Sequence, residues 1–402
     1  MKQKFPRFLA AVLVLSLLAI PICATETDTT SPTTEDISPD SEGSVSWSNL
    51  RNRIQTGNAN ILSIIESIES IESIDYDQWK ENVRKQLNSL ANAQWGLSMS
   101  GGDSSSLDSA YSSLRDTFDD LKDGETQKDN EDAIWQLEST VNQLIQAGEN
   151  QYIAILSMEQ SLEDAQRNLN ALDRSLEEAR LRQSLGQTSQ QSVEELEQSR
   201  RETVSQINSL NTTIKSSKSQ LQLLIGETPD GTISLGALPS EDEQAWTQPD
   251  YEEDLAAAKQ ASWTIRDAEL TLEDAKESWS DAKSDYQGYT NKYLLEQAEH
   301  TWNSAQLSYQ STIQDFELSF QALYDALEDN QQIYESKKSA LSYQEYQLQI
   351  AQTKYELGQL SYYDVLTAQD NVDSARSAVE SAWLDLFSAR NNYSWAVEYG
   401  LV

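Results

Sequence analysis

Apolar and small side chains recur in alternating steps of four and three residues along three stretches of the chain. A sustained period of 3.5 residues indicates a coiled-coil seam, or more simply amphipathic helices packed side by side. Alanine takes roughly every other seam position, so neighbouring helices should approach closely, with a large side chain filling the space between. The stripes are Ala261, Ile265, Ala268, Leu272, Ala275, Trp279, Ala282 and Tyr286; Ala298, Trp302, Ala305, Tyr309, Thr312, Phe316, Ser319, Leu323 and Ala326; and Ala368, Val372, Ala375, Val379, Ala382, Leu386, Ala389, Tyr393 and Ala396.

The distribution of proline extends the helical prediction to most of the chain. All seven prolines lie before residue 40 or within 229–249. The rest is rich in Ala, Leu, Glu, Gln, Ser and Lys, a composition typical of very long helices. We predict an all-α fold of long antiparallel coiled-coil hairpins, with helices over 251–285 and 292–357. Breaks are expected at 287–291 and 99–106.

An internal repeat accompanies the stripes. A shift of 172 residues superimposes Leu185–Ser189 on Leu357–Ser361 and places Val193 on Val365. The seam after the first copy then maps onto the third stripe, residue by residue. We therefore predict two tandem helical repeats, 47–228 and 250–402, joined by a linker over 229–249. The seam of the first copy is Leu196, Arg200, Thr203, Ile207, Leu210, Ile214, Ser217, Leu221 and Leu224.

Each copy contains the motif Leu-Gly-Gln-x-Ser, which predicts a corner between two helices. Gly186 or Gly358 can adopt the left-handed conformation that ends the incoming helix. Ser189 or Ser361 is a favourable N-cap for the outgoing helix, and Asp364, three residues after the second cap, suits a helix N-terminus. The residues alone leave open whether the corner is more than a tight hairpin.

The N-terminus indicates export. Three basic residues precede the 13-residue apolar run Phe8–Ile20, and a proline and a small residue follow it. We predict a secretory signal peptide over 1–24, with lipidation of Cys23 as an open alternative. Residues 25–46 contain almost no large apolar side chains and are predicted to be a disordered linker.

Charge and composition exclude several functional classes. The chain has 66 acidic and 29 basic residues, a formal net charge of −37, which repels nucleic-acid phosphates. One histidine, His300, and one cysteine, Cys23, leave no disulfide, no cysteine-ligated zinc and no multi-histidine site. We predict a protein that is not an enzyme, has no cofactor or metal, and binds no nucleic acid.

The segment Tyr355–Ala368 resembles the repeat hallmark of TolC-like outer-membrane efflux proteins. The segment Leu185–Leu196 resembles it more weakly, with Glu194 and Glu195 where a leucine and a small residue are typical. The duplication, the signal peptide and the long helices agree with this resemblance, which covers essentially 47–402.

The resemblance implies a function and a set of partners. Proteins of this family are trimers whose twelve long helices form a hollow α-barrel, and their corners dock a periplasmic adaptor. It implies a homotrimeric conduit that works with a membrane-fusion adaptor and an inner-membrane ATP-driven transporter. The residues implied at the adaptor-facing corners are Gly186, Ser189, Val193, Gly358, Ser361, Tyr362, Asp364 and Val365.

The chain departs from the family at the helix breaks. The family inserts two β-strands at each break to close a barrel in the outer membrane, and such a strand needs about 9–11 alternating residues. Residues 287–291 are too few, and 99–106 are rich in glycine and serine without alternation. We therefore expect the α-barrel of a TolC-like protein without the β-barrel, exported and peripheral or tethered at the cell envelope. An uncleaved signal, lipidated Cys23 and adaptor binding alone remain open as means of retention.

A second functional hypothesis is a coiled-coil scaffold or binding protein of the cell envelope. It keeps the fold without the channel and predicts a monomer or dimer. The transported substrate and the lumen-facing residues are left open by the sequence.

Overall fold

The fold is described here from a computed structural model. The residues it describes are 40–41, 43–101, 103, 105–240, 249–285 and 292–402. The predicted signal peptide, most of the predicted linker 25–46 and the predicted break 287–291 lie outside them. The prediction of an all-α fold is confirmed, because the described residues form ten helices and two strands of two residues each.

Two helices are much longer than the others. Helices α5 and α9 contain 60 and 65 residues, about 90–100 Å each at 1.5 Å per residue. The elements in chain order are β1 (Ser44–Val45), α1 (Trp47–Gly57), α2 (Ala59–Glu72), α3 (Tyr76–Met99), α4 (Ser105–Asp123), α5 (Glu125–Ser184), α6 (Gln190–Leu224), β2 (Ser234–Leu235), α7 (Tyr251–Ala261), α8 (Trp263–Asp285), α9 (Lys292–Glu356) and α10 (Tyr362–Tyr399).

The described chain divides into two compact units. The hairpin unit contains Ala59–Val141, and the main unit contains Ser38–Asn58 together with Asn142–Val402. In the hairpin unit α3 packs against α4, and the side chain of Asn130 at the start of α5 donates a 2.8 Å hydrogen bond to the Tyr76 hydroxyl. The two sequence repeats follow different boundaries, and their division at 229–249 stays a prediction.

In the main unit, α9 and α10 pack closely around a cluster of buried side chains. Many of their Cα atoms lie within 8 Å of each other, whereas such approaches are sparse between α5 and α6. The sequence explains the difference, because Leu210 and Leu224 of α6 stand where α10 has Ala382 and Ala396. The buried cluster consists of Ala258, Phe316, Phe320, Leu327, Tyr334, Ala382, Leu386, Tyr393 and Ala396.

Helices α5 and α6 are joined by long charged side chains instead. The ion pairs Arg180–Glu197 and Glu159–Lys218 span 2.8 and 2.6 Å between charged atoms. Such side chains bridge a wider gap between helix axes than alanine can fill. The two repeats thus share a pattern of seams but pack their hairpins differently.

A buried carboxylate joins three helices of the main unit. Glu149 of α5, 4% exposed, accepts hydrogen bonds from the Trp395 indole (2.6 Å) and the Asn391 amide (3.0 Å) of α10. Its other oxygen pairs with Arg51 of α1 at 3.1 Å, and the Arg51 guanidinium lies 4.5 Å from the Trp395 ring centroid. Burial of this charge is tolerated because three donors surround it.

The last residues of the predicted disordered linker 25–46 are ordered, which corrects that prediction. Strand β1 pairs in parallel with β2, with Val45 opposite Leu235. Val45 is fully buried, and the Tyr152 hydroxyl donates to the carbonyl of Gly236 at 2.7 Å. Asp40 accepts hydrogen bonds from the amide and hydroxyl of Ser46. One buried valine and a cluster of local hydrogen bonds therefore end the linker before residue 46.

The prediction of an uninterrupted helix over 251–285 is wrong. Ser262 is extended (φ −79°, ψ 113°) and separates α7 from α8, as Asn58 (φ −77°, ψ 116°) separates α1 from α2. A helix C-terminus packs against each break. A Cβ on Gly400 would overlap the backbone of Ser262, and one on Gly226 would overlap the backbone of Gly57. The same kind of close backbone approach, between a glycine after a long helix and a break near the start of the repeat, thus occurs in both repeats.

We expect Gly226→Ala to lower the free energy of unfolding by about 2–4 kcal/mol. The change adds left-handed strain and overlap with Gly57. Urea denaturation followed by circular dichroism measures the loss. Gly124→Ala is the matched control, because Gly124 also has a positive φ (81°) but no atom within 4 Å of an added Cβ. Equal losses in the two variants would show that the contact with Gly57 adds nothing.

Candidate functional site

The first corner has the conformation that its motif predicts. Gly186 is left-handed (φ 70°), and the Gln187 amide donates to the carbonyl of Arg182 at 2.8 Å, which closes the last turn of α5. The Ser189 hydroxyl accepts a 3.2 Å hydrogen bond from the Ser192 amide at the start of α6. The predicted C-cap and N-cap are both confirmed.

The second corner repeats this geometry. Gly358 has φ 68°, and the Gln359 amide donates to the carbonyl of Lys354 at 2.8 Å. The Ser361 hydroxyl accepts from the Asp364 amide at 3.3 Å, while the Asp364 carboxylate accepts from the Ser361 amide at 2.8 Å. This reciprocal arrangement is a capping box.

The two corners differ in charge. Two hydrogen bonds from Ser361 hold the pKa of Asp364 below its usual value. The hydrogen bond from the side chain has the larger effect, and the one from the backbone amide has the smaller. The first corner has Ser192 at the same position, within 2.9 Å of the Ser189 hydroxyl. Acidification can therefore alter the second cap but not the first.

Side-chain hydrogen bonds and an ion pair between α5 and α10 bring the two corners to the same end of the main unit. The Gln160 amide donates to the Ser377 hydroxyl at 2.9 Å, and Arg174 binds both carboxylate oxygens of Asp370 at 2.5 and 2.6 Å. Residue numbers rise along α5 as they fall along α10, so the helices are antiparallel. Arg174 precedes Gly186 by twelve residues, and Asp370 follows Gly358 by twelve. Both corners thus lie about 18 Å beyond the same ion pair.

The residues at the two corners are not equally accessible. Tyr362 and Tyr363 are 57% and 51% exposed, and Gly186, Ser189, Gly358, Ser361 and Asp364 are also exposed. Val193 is buried, with 6% exposure, and Val365 is half-buried. The two valines therefore anchor the outgoing helices and present little or no surface to a partner.

Three further residues at the corners are exposed that are not among the predicted adaptor-facing residues. Leu185 and Leu357, the first residues of the motif, are 63% and 67% exposed. Their position immediately before a helix-ending glycine was a signal for exposure, since the chain turns away there. The Tyr355 ring, 45% exposed, lies 6.0 Å from that of Tyr362 and completes an aromatic pair at the second corner.

Across the described ranges, no group of three His, Cys, Asp or Glu side chains is placed to hold a metal ion. His300 is exposed on α9. None of the described helices combines the length and the apolar character needed to cross a bilayer.

Comparison with solved structures assigns the fold. The outer-membrane channel OprN superimposes with a TM-score of 0.58 and 13% identity, over 94% of this chain and 99% of its own. The open state of the MtrE outer membrane channel of Neisseria gonorrhoeae superimposes with a TM-score of 0.53 and 16% identity, over 95% of this chain and 98% of its own. The chain has the TolC-like fold. No family model matches the sequence, and no curated protein matches it either. The evidence for the TolC-like fold therefore comes from the structure. The sequence identity to these channels is too low to indicate more than a shared fold.

We expect the pKa of Asp364 to rise towards its ordinary value of 3.8 in Ser361→Ala. The wild-type pKa is depressed, so the stabilisation from this carboxylate is complete above the unfolded-state pKa. It is lost as the pH falls through the folded-state value. Carboxyl-carbon NMR titration of selectively labelled protein measures both values.

Ser189→Ala, at the first corner, is the control for this titration and should leave the pKa of Asp364 unchanged. An unaltered pKa in Ser361→Ala would show that another group holds the carboxylate ionised.

Proposed function

We propose that this chain is an exported helical conduit of a tripartite efflux or secretion system in the cell envelope. An adaptor of the periplasmic type docks at its two corners, and an ATP-driven transporter of the inner membrane supplies the cargo. The observation that supports this most is the pair of capped corners at one end of a fold shared with outer-membrane channels. The role is structural and non-enzymatic.

The corners suit a docking site because they are rigid and partly apolar. Both turns are held by backbone hydrogen bonds and by serine caps, so binding would cost little ordering of the chain. Tyr362, Tyr363, Leu185 and Leu357 are all more than half exposed. Aromatic residues are enriched at the centres of protein interfaces. The second corner, which has both tyrosines, is the main contact in this proposal.

A conduit also requires several copies of the chain, and α9 offers a surface for their association. Six of its large apolar side chains are between 46% and 71% exposed. At about 100° per residue, all of them except Tyr346 fall within an arc of roughly 80° on one face of the helix. We define this as the α9 stripe, and we propose that it packs against a second copy in a homotrimer. Its members are Tyr293, Leu307, Leu318, Ile333 and Tyr343.

We expect light scattering to show that the chain is a trimer. In the double variant Leu307→Ser, Leu318→Ser, the equilibrium between trimer and monomer should shift towards the monomer. Both leucines are about 70% exposed, so the folded monomer should tolerate the change. Leu223→Ser, at a 60% exposed leucine of α6, is the matched control and should remain trimeric. A monomeric wild-type chain would overturn the trimer and favour the envelope scaffold.

Docking is tested by photo-crosslinking in cells from positions 190 and 362, next to the two corners, with partners identified by mass spectrometry. We expect capture of an adaptor with its transporter co-purifying. Probes at Thr212, an exposed residue in the middle of α6, should capture neither. Gly358→Val should reduce the yield from position 362 roughly tenfold, because a left-handed β-branched residue costs about 1–2 kcal/mol of strain.

Gly124→Val is the control for that substitution. Gly124 has the same backbone conformation with open space around it, and it lies in the hairpin unit. Its adaptor yield should equal that of the wild type. Capture of wall enzymes or other surface proteins without an adaptor would refute the docking proposal.

A further inference from the structure

The end of the α3–α4 hairpin is the most apolar exposed tip in the described hairpin unit. Three large apolar side chains lie in the last five residues of α3, and we call them the hairpin tip: Trp95, Leu97 and Met99, with exposed fractions of 67%, 38% and 71%. We propose that the hairpin tip inserts into the interfacial layer of a zwitterionic lipid surface. This inference does not rest on the conduit function.

Charge is depleted around the hairpin tip. Between Lys85 and Arg115 the charged residues are Asp103 and Asp108, two among 29. At the 24% frequency of the whole chain, 29 residues would contain about seven. Charged side chains are the groups that are most costly to bring into a lipid interface, and this stretch contains few of them.

The two remaining carboxylates are engaged within the hairpin. Asp108 accepts a 2.8 Å hydrogen bond from the Gln94 amide, which ties α4 to α3 beside the tip. Asp103 accepts a 2.9 Å hydrogen bond from the Ser105 backbone amide at the start of α4. The side chains of Trp95, Leu97 and Met99 are therefore held on a structured support, and they would pay little ordering cost on insertion.

The arrangement of the three side chains fits lipid better than a protein partner. Trp95 and Met99 are four residues apart and share one face of α3, while Leu97 lies on the opposite side. A protein surface would contact one side of such a wedge, whereas lipid surrounds both. Three side chains also fall well short of the roughly 800 Å² per partner that a stable protein interface buries. Tryptophan, for its part, is enriched at membrane–water interfaces.

Net charge decides the class of lipid. The chain has a formal net charge of −37, and no basic residue lies between Lys85 and Arg115 to offset it. Anionic headgroups would repel the approaching protein. A zwitterionic surface has no net charge and would not repel the protein.

The test uses the chain without residues 1–24, so that the apolar run of the predicted signal peptide cannot bind lipid; these residues precede the described fold. We expect it to float with phosphatidylcholine vesicles in a density gradient. The double variant Trp95→Ser, Met99→Ser should lose partitioning roughly tenfold or more, because two large apolar side chains are removed. Leu223→Ser, exposed elsewhere, should float like the wild type.

Two further measurements separate insertion from other modes of binding. Flotation should persist at about 0.5 M salt, which would screen an electrostatic contact, and phosphatidylglycerol vesicles should bind less at low salt. Trp95→Phe should still float but show less fluorescence quenching by brominated lipid than the wild type.

Failure of the wild type to float, or equal flotation of the double variant, would overturn the proposal. A probe at position 95 that captures a protein in cells, without vesicle binding in vitro, would assign the tip to a protein partner instead. None of these outcomes depends on an adaptor, so they leave the conduit proposal to its own experiments.

Discussion

The polar contact between α5 and α10 is the interaction on which the arrangement of the main unit depends. It joins the two sequence repeats, and it does so through polar groups at three levels: the buried Glu149, the Gln160–Ser377 hydrogen bond and the Arg174–Asp370 ion pair. Apolar contacts allow helices to slide, whereas hydrogen bonds and ion pairs fix which residues lie opposite each other. Since the helices are antiparallel, that register places both corners at one end. Two separate helical turns thereby lie at the same end of the main unit.

The two repeats reach the same corner geometry through different interiors. In the second repeat, alanines let α9 and α10 approach closely around aromatic rings such as Phe320 and Tyr393, whose centroids are 5.4 Å apart. In the first, leucines at the equivalent positions hold α5 and α6 farther apart, and ion pairs cross the gap. The second hairpin is the more tightly packed of the two, because its helices approach more closely along their length. The aromatic side chains at a corner also belong to that hairpin.

The surfaces proposed for partners arise where an apolar side chain breaks the amphipathic pattern. The corners expose Leu185, Leu357 and two tyrosines because the chain reverses there. The α9 stripe lies on a face of the longest helix, and the hairpin tip lies at a helix end with almost no charge nearby. A long helix has more surface than one neighbour can cover. In a chain with a charge of −37, uncharged apolar surfaces are the places where anionic molecules meet the least repulsion.

Local interactions determined the part of this fold that the sequence alone predicted. Proline-free stretches, the 3.5-residue seams and the Gly-x-x-Ser corner act over a few residues, and the structure confirms the long helices and both caps at Gly186 and Gly358. Tertiary structure alone decided the breaks at Asn58 and Ser262, the burial of Val193 and the joint at Glu149. Glu149 meets Trp395 across 246 residues of sequence. Such contacts depend on how distant helices lie against each other, and a helical period states which face is apolar but not which helix will cover it.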